Sequence, residues 1–188
     1  MAHLILASSS ARRRELLLQL GVQFTIDSPD IDESVLEGEK VAHYVERLAR
    51  AKAEAVWLNH SEAVILAADT SIAVDDEILG KPESKAHAFN MWEKISGRCH
   101  EVLTAVCVRT KQEISSIVVQ TQVEFQPFSR AEMERYWATG EPIGKAGAYA
   151  IQGIAAQYIP RIHGSYSNVV GLPLYETAQL LRTVKVLN

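Results

Sequence analysis

Only two of the 188 residues are cysteine, Cys99 and Cys107, and they stand eight apart in one strand-like run, where straight strand geometry keeps their sulfurs apart. A disulfide scaffold is thereby excluded, and reduced thiols in a cytoplasmic protein are expected. No run approaches the ~20 apolar residues of a membrane-spanning helix, and the opening MAHLILASSS lacks the basic and long apolar segments of a secretory leader. No membrane partner is expected. Positive charge is also in short supply, with 19 Lys and Arg against 23 Asp and Glu for a net charge of -4. Without a broad basic face to displace counterions, stable nucleic-acid binding is not expected, and any anion site must be local. Missing too are the GxxxxGK[ST] phosphate loop, the GxGxxG fingerprint and the G-x-S-x-G elbow, which disfavours a P-loop ATPase, a Rossmann dehydrogenase and an elbow-type hydrolase. Repeats, low-complexity tracts and linker-like shifts are absent, and with 47% apolar content residues 1–188 are expected to form one domain around a substantial core.

What is present reads as alternating strands and helices. His3 to Ala7 is a short apolar run suited to a buried strand; Ser8, Ser9 and Ser10 offer N-caps for a helix with Leu16, Leu17 and Leu20 on one face and Gly21 as its stop. Val22 to Ile26 suggests a second strand. Residues 39 to 57 carry Val41, Val45, Leu48, Ala55 and Val56 at helical spacing, and AVILAAD then reads as a buried strand ending at Asp69. A hairpin around Asp75 and Asp76 follows, then a helix capped by Ser84 and stopped at Gly97. Two longer strands are predicted near 100–109 and 113–125, the second alternating at Ile117, Val119, Thr121, Val123 and Phe125. Ser129 and Glu132 form a capping box for a short helix ending at Gly140, 140–173 is irregular, and Pro173 suits the first position of a last helix. This order implies an α/β fold with a mixed sheet and flanking helices.

Arg12, Arg13 and Arg14 occupy the first turn of the first helix, where the free backbone N–H groups already make the potential positive and a cation is disfavoured. A strand-to-helix junction is a natural phosphate or carboxylate site, and the added arginines suit a polyanion; the bland alternative is a solvated face with one arginine pairing Glu15 or Glu37. Lys52 lies on or beside the apolar face of its helix, so it either snorkels or meets an anion. Asp69 closes an apolar strand, where ligands gather in α/β sheets, or it caps the next turn. Glu33, in DIDES, offers a second carboxylate from a loop that could equally be only solvated. Lys81, held extended before Pro82, projects toward the same cleft or into solvent. Cations, two carboxylates and scattered histidines fit Mg2+ and a polyphosphate better than zinc. If Lys52 and Lys81 contact the polyphosphate and do not snorkel, replacing either by alanine should weaken catalysis while leaving the thermal stability of the free protein unchanged or raised, because uncompensated cations repel one another in the empty site.

The ordered blocks ASSSARRRELL, DIDES, ARAKAEAV, LAADTSIAV, LGKP, KAGAYAIQG and GSYSNVVGLPL resemble the Maf family of nucleoside triphosphate pyrophosphatases, also called septum formation inhibitors, over nearly the whole chain. Ala11 stands where many relatives have proline. The resemblance implies an elongated, two-lobed α/β fold with a central cleft, commonly a homodimer, hydrolysing a nucleoside triphosphate to the monophosphate and pyrophosphate as a housecleaning activity. It implies Asp69 as the general base, Glu33 and Asp69 as ligands of Mg2+ or Mn2+, and Ser8, Arg13, Lys52 and Lys81 on the phosphates. Arg12, Thr70 and Gln152 are similar to the base-selecting positions of the branch acting on dTTP and UTP; the 7-methyl-GTP branch carries Trp, Gln and Glu there. Open alternatives are a purine-directed pyrophosphatase of the 7-methyl-GTP or inosine triphosphate type, and a non-enzymatic regulator of septum formation.

Overall fold

The computed structural model describes residues 3–188. A seven-stranded mixed sheet is built from β1 (Leu4–Leu6), β2 (Thr25–Ile26), β3 (Val64–Val74), β4 (Glu77–Leu79), β5 (Cys99–Arg109), β6 (Ile114–Glu124) and β7 (Arg161–His163), in the order β2-β1-β3-β5-β6-β7 with β4 folded back on β3. β1 runs parallel to β2 and β3, and every other pairing is antiparallel. Helices α1 (Ala11–Leu18), α2 (Val41–Trp57), α3 (Lys85–Ile95), α4 (Arg130–Ala138), α5 (Tyr166–Val170) and α6 (Leu174–Thr183) flank it. No helix among the described residues is long and apolar enough to cross a membrane.

Strand periodicity divides the core. Leu4, Leu6, Leu66, Ala68, Val106 and Val108 face Leu16, Leu17 and Leu181 of α1 and α6. Their neighbours Ile5, Ile65, Ala67, Leu103, Ala105 and Cys107 point the other way, against Val45, Ala49, Ala53 and Val56 of α2. A third cluster, around Trp92, Phe125, Phe128, Tyr136 and Tyr158, joins α3 and α4 to the far end of the sheet. The Asp75–Asp76 hairpin forms as read, both residues adopting left-handed backbone with φ of 50° and 64°, and the Ser84 cap and Ser129–Glu132 capping box are in place.

Four local expectations change. β2 is only two residues long, because Val22 and Phe24 enter the core from a turn instead of a ladder. Pro173 is the N-cap of α6 and not its first helical residue. The alternation in β6 buries Thr121 and Val123 but leaves Ile117 39% exposed, because near the hairpin with β5 it is the opposite set, Ile114 and Val118, that packs on the α2 side. Most consequential, β3 does not end at Asp69 but runs on through Thr70 and Ser71 to Val74. Its partner ends instead: β1 pairs only as far as Leu66, and β4 resumes pairing at Ile72. Five residues of β3, from 67 to 71, therefore lack a strand neighbour on that edge while β5 holds the other.

Candidate active site

The gap in the sheet opens a cleft of about 590 Å³. Its floor is the unpaired stretch of β3, and alternation sends adjacent side chains to different helices. Asp69 lies on the face of Ile65 and Ala67, toward α2; Thr70 lies on the face of Leu66 and Ala68, toward α1. The consequences are two separate contacts. Lys52 Nζ of α2 donates to Asp69 Oδ1 at 2.6 Å, and Arg13 Nη2 of α1 donates to Thr70 Oγ1 at 3.0 Å.

Lys52 does not snorkel. Its side chain is 11% exposed, that of Asp69 10%, and the same ammonium lies 2.7 Å from Glu33 Oε1. Lys81 reaches Glu33 from the solvent side, its Nζ 3.4 Å from Oε2. Burial pushes the Asp69 carboxyl above the usual carboxylate range, against the opposing pull of Lys52 and Arg13. For Glu33 the balance reverses: burial raises it, but Lys52 and Lys81 together hold it below the ordinary value. The loop bearing Glu33 is anchored by Tyr44 Oη, which donates to the Glu33 carbonyl at 2.9 Å, and by Arg47, which donates to the Ser34 carbonyl at 2.9 Å and twice to Glu39.

The strand-to-helix junction forms with Ser10 as N-cap of α1, accepting from the Arg13 N–H. Ser8 Oγ accepts from the Ser10 N–H at 3.2 Å and from Arg13 Nη1 at 3.4 Å, while Arg13 Nε donates to the Gly171 carbonyl at 2.9 Å. Gly171 adopts φ 128°, a conformation suited to glycine, and so presents that carbonyl. Among the described residues no carboxylate lies within 4.0 Å of Arg12, Arg13 or Arg14, so the pairing with Glu15 or Glu37 does not form. Arg13 is instead held by neutral acceptors, which orient it without neutralising it. Thr70 Oγ1 is hydrogen-bonded to Thr104 Oγ1 at 2.9 Å, and Thr104 in turn donates to the Asn168 carbonyl. Since the Thr104 proton goes to that carbonyl, Thr70 donates to Thr104 and accepts from Arg13.

All nine residues singled out from the sequence line this one cleft: Ser8, Arg12, Arg13, Glu33, Lys52, Asp69, Thr70, Lys81 and Gln152. Arg12 is half-buried and Gln152 exposed. Among the further lining residues, Lys145, in the KAGAYAIQG block, and Tyr44, about two turns before Lys52 on α2, were not singled out from the sequence. Five cations thus face two carboxylates in a chain whose net charge is -4, a local excess of positive charge. Glu33 and Asp69 are drawn together by one ammonium, and among the described residues no group of three His, Cys, Asp or Glu could hold a metal by itself. Two carboxylates with no nitrogen or sulfur donor fit a hard cation completed by substrate phosphate, such as Mg2+ or Mn2+, and do not fit zinc.

The sequence model of the family described as Maf-like protein matches residues 3–184. A relative from Acinetobacter baylyi named dTTP/UTP pyrophosphatase is 61% identical over 183 residues, covering 97% of this chain and 100% of its own length. Relatives of the same name from Pseudoalteromonas atlantica and Symbiobacterium thermophilum are 50% and 49% identical, over 95% and 96% of this chain and 95% and 93% of theirs.

Proposed function

Because the chain belongs to the Maf-like family, we propose that it is a nucleoside triphosphate pyrophosphatase hydrolysing dTTP and UTP to the monophosphate and pyrophosphate. The observation that carries the reading is the placement of a buried carboxylate, Asp69, on an unpaired strand edge, 2.6 Å from the Lys52 ammonium and within a cleft lined by four further cations. A triphosphate is the ligand whose charge that excess of cations matches. Asp69 accepts a proton from the attacking water as the new oxygen–phosphorus bond forms at the α phosphate. The bond to the β-phosphate oxygen breaks, and pyrophosphate leaves with the electron pair. Asp69 acts as the base in its ionised form, which Lys52 and Arg13 favour against the opposing effect of burial. Ser8, Arg13, Lys52 and Lys81 hold and neutralise the phosphates, and their donors are positioned in advance by the junction, α2 and the Glu33 loop. Glu33 and Asp69 would hold Mg2+ or Mn2+, which supplies charge neutralisation on the phosphoryl oxygens. Arg12, Thr70 and Gln152 select the base. Gln152 offers both a donor and an acceptor, the pattern that the carbonyl and N–H edge of uracil and thymine requires. We place the enzyme in the cytoplasm as a homodimer, clearing unwanted nucleotides before they enter nucleic acid.

Release of pyrophosphate from a panel of nucleotides, with Mg2+ and with Mn2+, tests the reading. The expected order places dTTP and UTP above GTP, ITP and 7-methyl-GTP. A preference for 7-methyl-GTP or ITP would move the protein to a purine-directed branch, and no release from any nucleotide would leave the regulator of septum formation.

A further inference from the structure

The turn that carries Gln152 is clasped at both ends by one carboxylate and one phenol outside the cleft. Residues 150 to 153 form a tight turn, closed by the Gly153 N–H donating to the Ala150 carbonyl at 3.0 Å, with Gln152 at its third position. At the turn's start the Ala150 N–H donates to Tyr136 Oη at 3.3 Å. Just past its end, the Ile154 N–H donates to Glu141 Oε2 at 2.8 Å and the Ala155 N–H to Glu141 Oε1 at 3.2 Å. Tyr136 Oη joins the two ends by donating to Glu141 Oε1 at 2.6 Å. Tyr136 is buried, and burial together with Glu141 pushes its phenol upward, so it stays a donor.

Several features make this more than ordinary loop packing. Among the described residues no cation lies within 4.0 Å of Glu141, so its charge is committed to two backbone N–H groups and one phenol, as charge-assisted hydrogen bonds of roughly twice ordinary strength. A Cβ at position 153 would come 2.0 Å from Glu141 Oε2, so only glycine lets the carboxylate sit against the turn. Neither Glu141 nor Tyr136 lines the cleft, while Gln152 does. We propose that Glu141, together with Tyr136, is a positioning residue for base selection, fixing the orientation in which Gln152 meets the base. The proposal rests on Gln152 reading the base, as in the function above.

The test measures kcat/KM for UTP and for GTP in the full chain, for the wild type, Glu141→Gln, Gln152→Ala and the double variant. Glu141→Gln keeps the volume, but one end of the amide becomes a donor facing donors. Misplacing a fitted polar group by about an ångström can cost on the order of a hundredfold, so UTP-over-GTP selectivity is expected to fall at least about tenfold, chiefly through kcat/KM for UTP. Added to Gln152→Ala, the same change should alter selectivity less than about twofold, because two residues acting through one contact are not additive. Unchanged selectivity in Glu141→Gln, an equal loss for both nucleotides, or a full further loss in the Gln152→Ala background overturns the proposal. A wild type without preference for UTP overturns the reading of Gln152 and the proposal with it, and that outcome is seen before any variant is compared. Should Glu141→Gln fail to fold, Tyr136→Phe, which deletes only the clasping hydroxyl, carries the same expectation.

Discussion

Replacing Lys52 by methionine removes the charge that two carboxylates share while keeping most of the side chain's volume. In sequence alone the cleft cations face one another, and loss of one should relieve repulsion. The geometry reverses that expectation, because Lys52 touches Asp69 at 2.6 Å and Glu33 at 2.7 Å and no other cation is as near to either. Breaking an enclosed ion pair by removing one partner costs about 3–5 kcal/mol. Glu33 is 41% exposed, so its share is screened to about 1 kcal/mol or less, and Asp69 faces a cleft from which it can take a proton. The net loss should be about 2–4 kcal/mol, or roughly 6–12 °C in Tm for a chain of this size. Lys52 opposes the upward push of burial on Asp69, so its removal raises the folded-state pKa of that carboxyl further. A group whose folded pKa is raised loses stability as pH rises through it, so the deficit of Lys52→Met should be largest near pH 8 and fade on acidification as Asp69 protonates. Thermal unfolding followed by circular dichroism between pH 5 and 8, without nucleotide and with chelator, measures this. A Tm at or above that of the wild type at pH 7.5, or a deficit that grows toward pH 5, would refute the account of Lys52 as a shared counter-ion.

Three further outcomes are expected. Asp69→Asn should lower pyrophosphate release by two or more orders of magnitude, the scale of a general base, while nucleotide binding measured by calorimetry largely survives; near-normal turnover in a folded variant removes Asp69 from its role. Gln152→Glu should depress hydrolysis of dTTP and UTP far more than that of GTP, because a carboxylate only accepts and would repel the two carbonyls of a pyrimidine edge; equal effects in parallel assays would count against base reading at that position. His100 is buried against Tyr149, whose Oη lies 2.6 Å from its Nε2, and burial pushes its pKa down to about 4 from the ordinary 6.5. Between those values the unfolded chain takes up a proton that the folded one refuses, so stability falls with falling pH, by up to about 3 kcal/mol at pH 4. His100→Gln should flatten that part of the Tm profile, and a profile as steep as that of the wild type would show that other groups set it.

Much of the site was legible because its chemistry is local in the chain. The serine-capped junction, the arginines in a first helical turn and the DIDES loop each follow from neighbouring residue types, and the helices and long strands follow from periodicity. The family resemblance joined those pieces into one cleft. Lys145 and Tyr44 were not legible, since a lysine before an irregular glycine-rich stretch and a tyrosine on a half-apolar helix face have no local mark of facing a ligand. Glu141 was invisible for the same reason, because its partners are backbone N–H groups 13 and 14 residues away.

The amino-acid order by itself determined the mixed α/β class, the caps, the hairpin and the set of charged groups, because each depends on interactions within a few residues. Only the tertiary structure decided what those charges do. Asp69 reads as a strand end because polar residues interrupt an apolar run, yet the strand continues and it is β1 that stops, a fact of pairing between segments about 60 residues apart. That gap exposes an edge on which Asp69 and Thr70, adjacent in the chain, turn to opposite faces and meet cations from two different helices. Lys52 could have been a snorkelling lysine or an anion's partner on propensity alone. Which one it became depended on two carboxylates, 17 and 19 residues away in sequence, being brought within 3 Å of its nitrogen by the packing of α2 across the sheet.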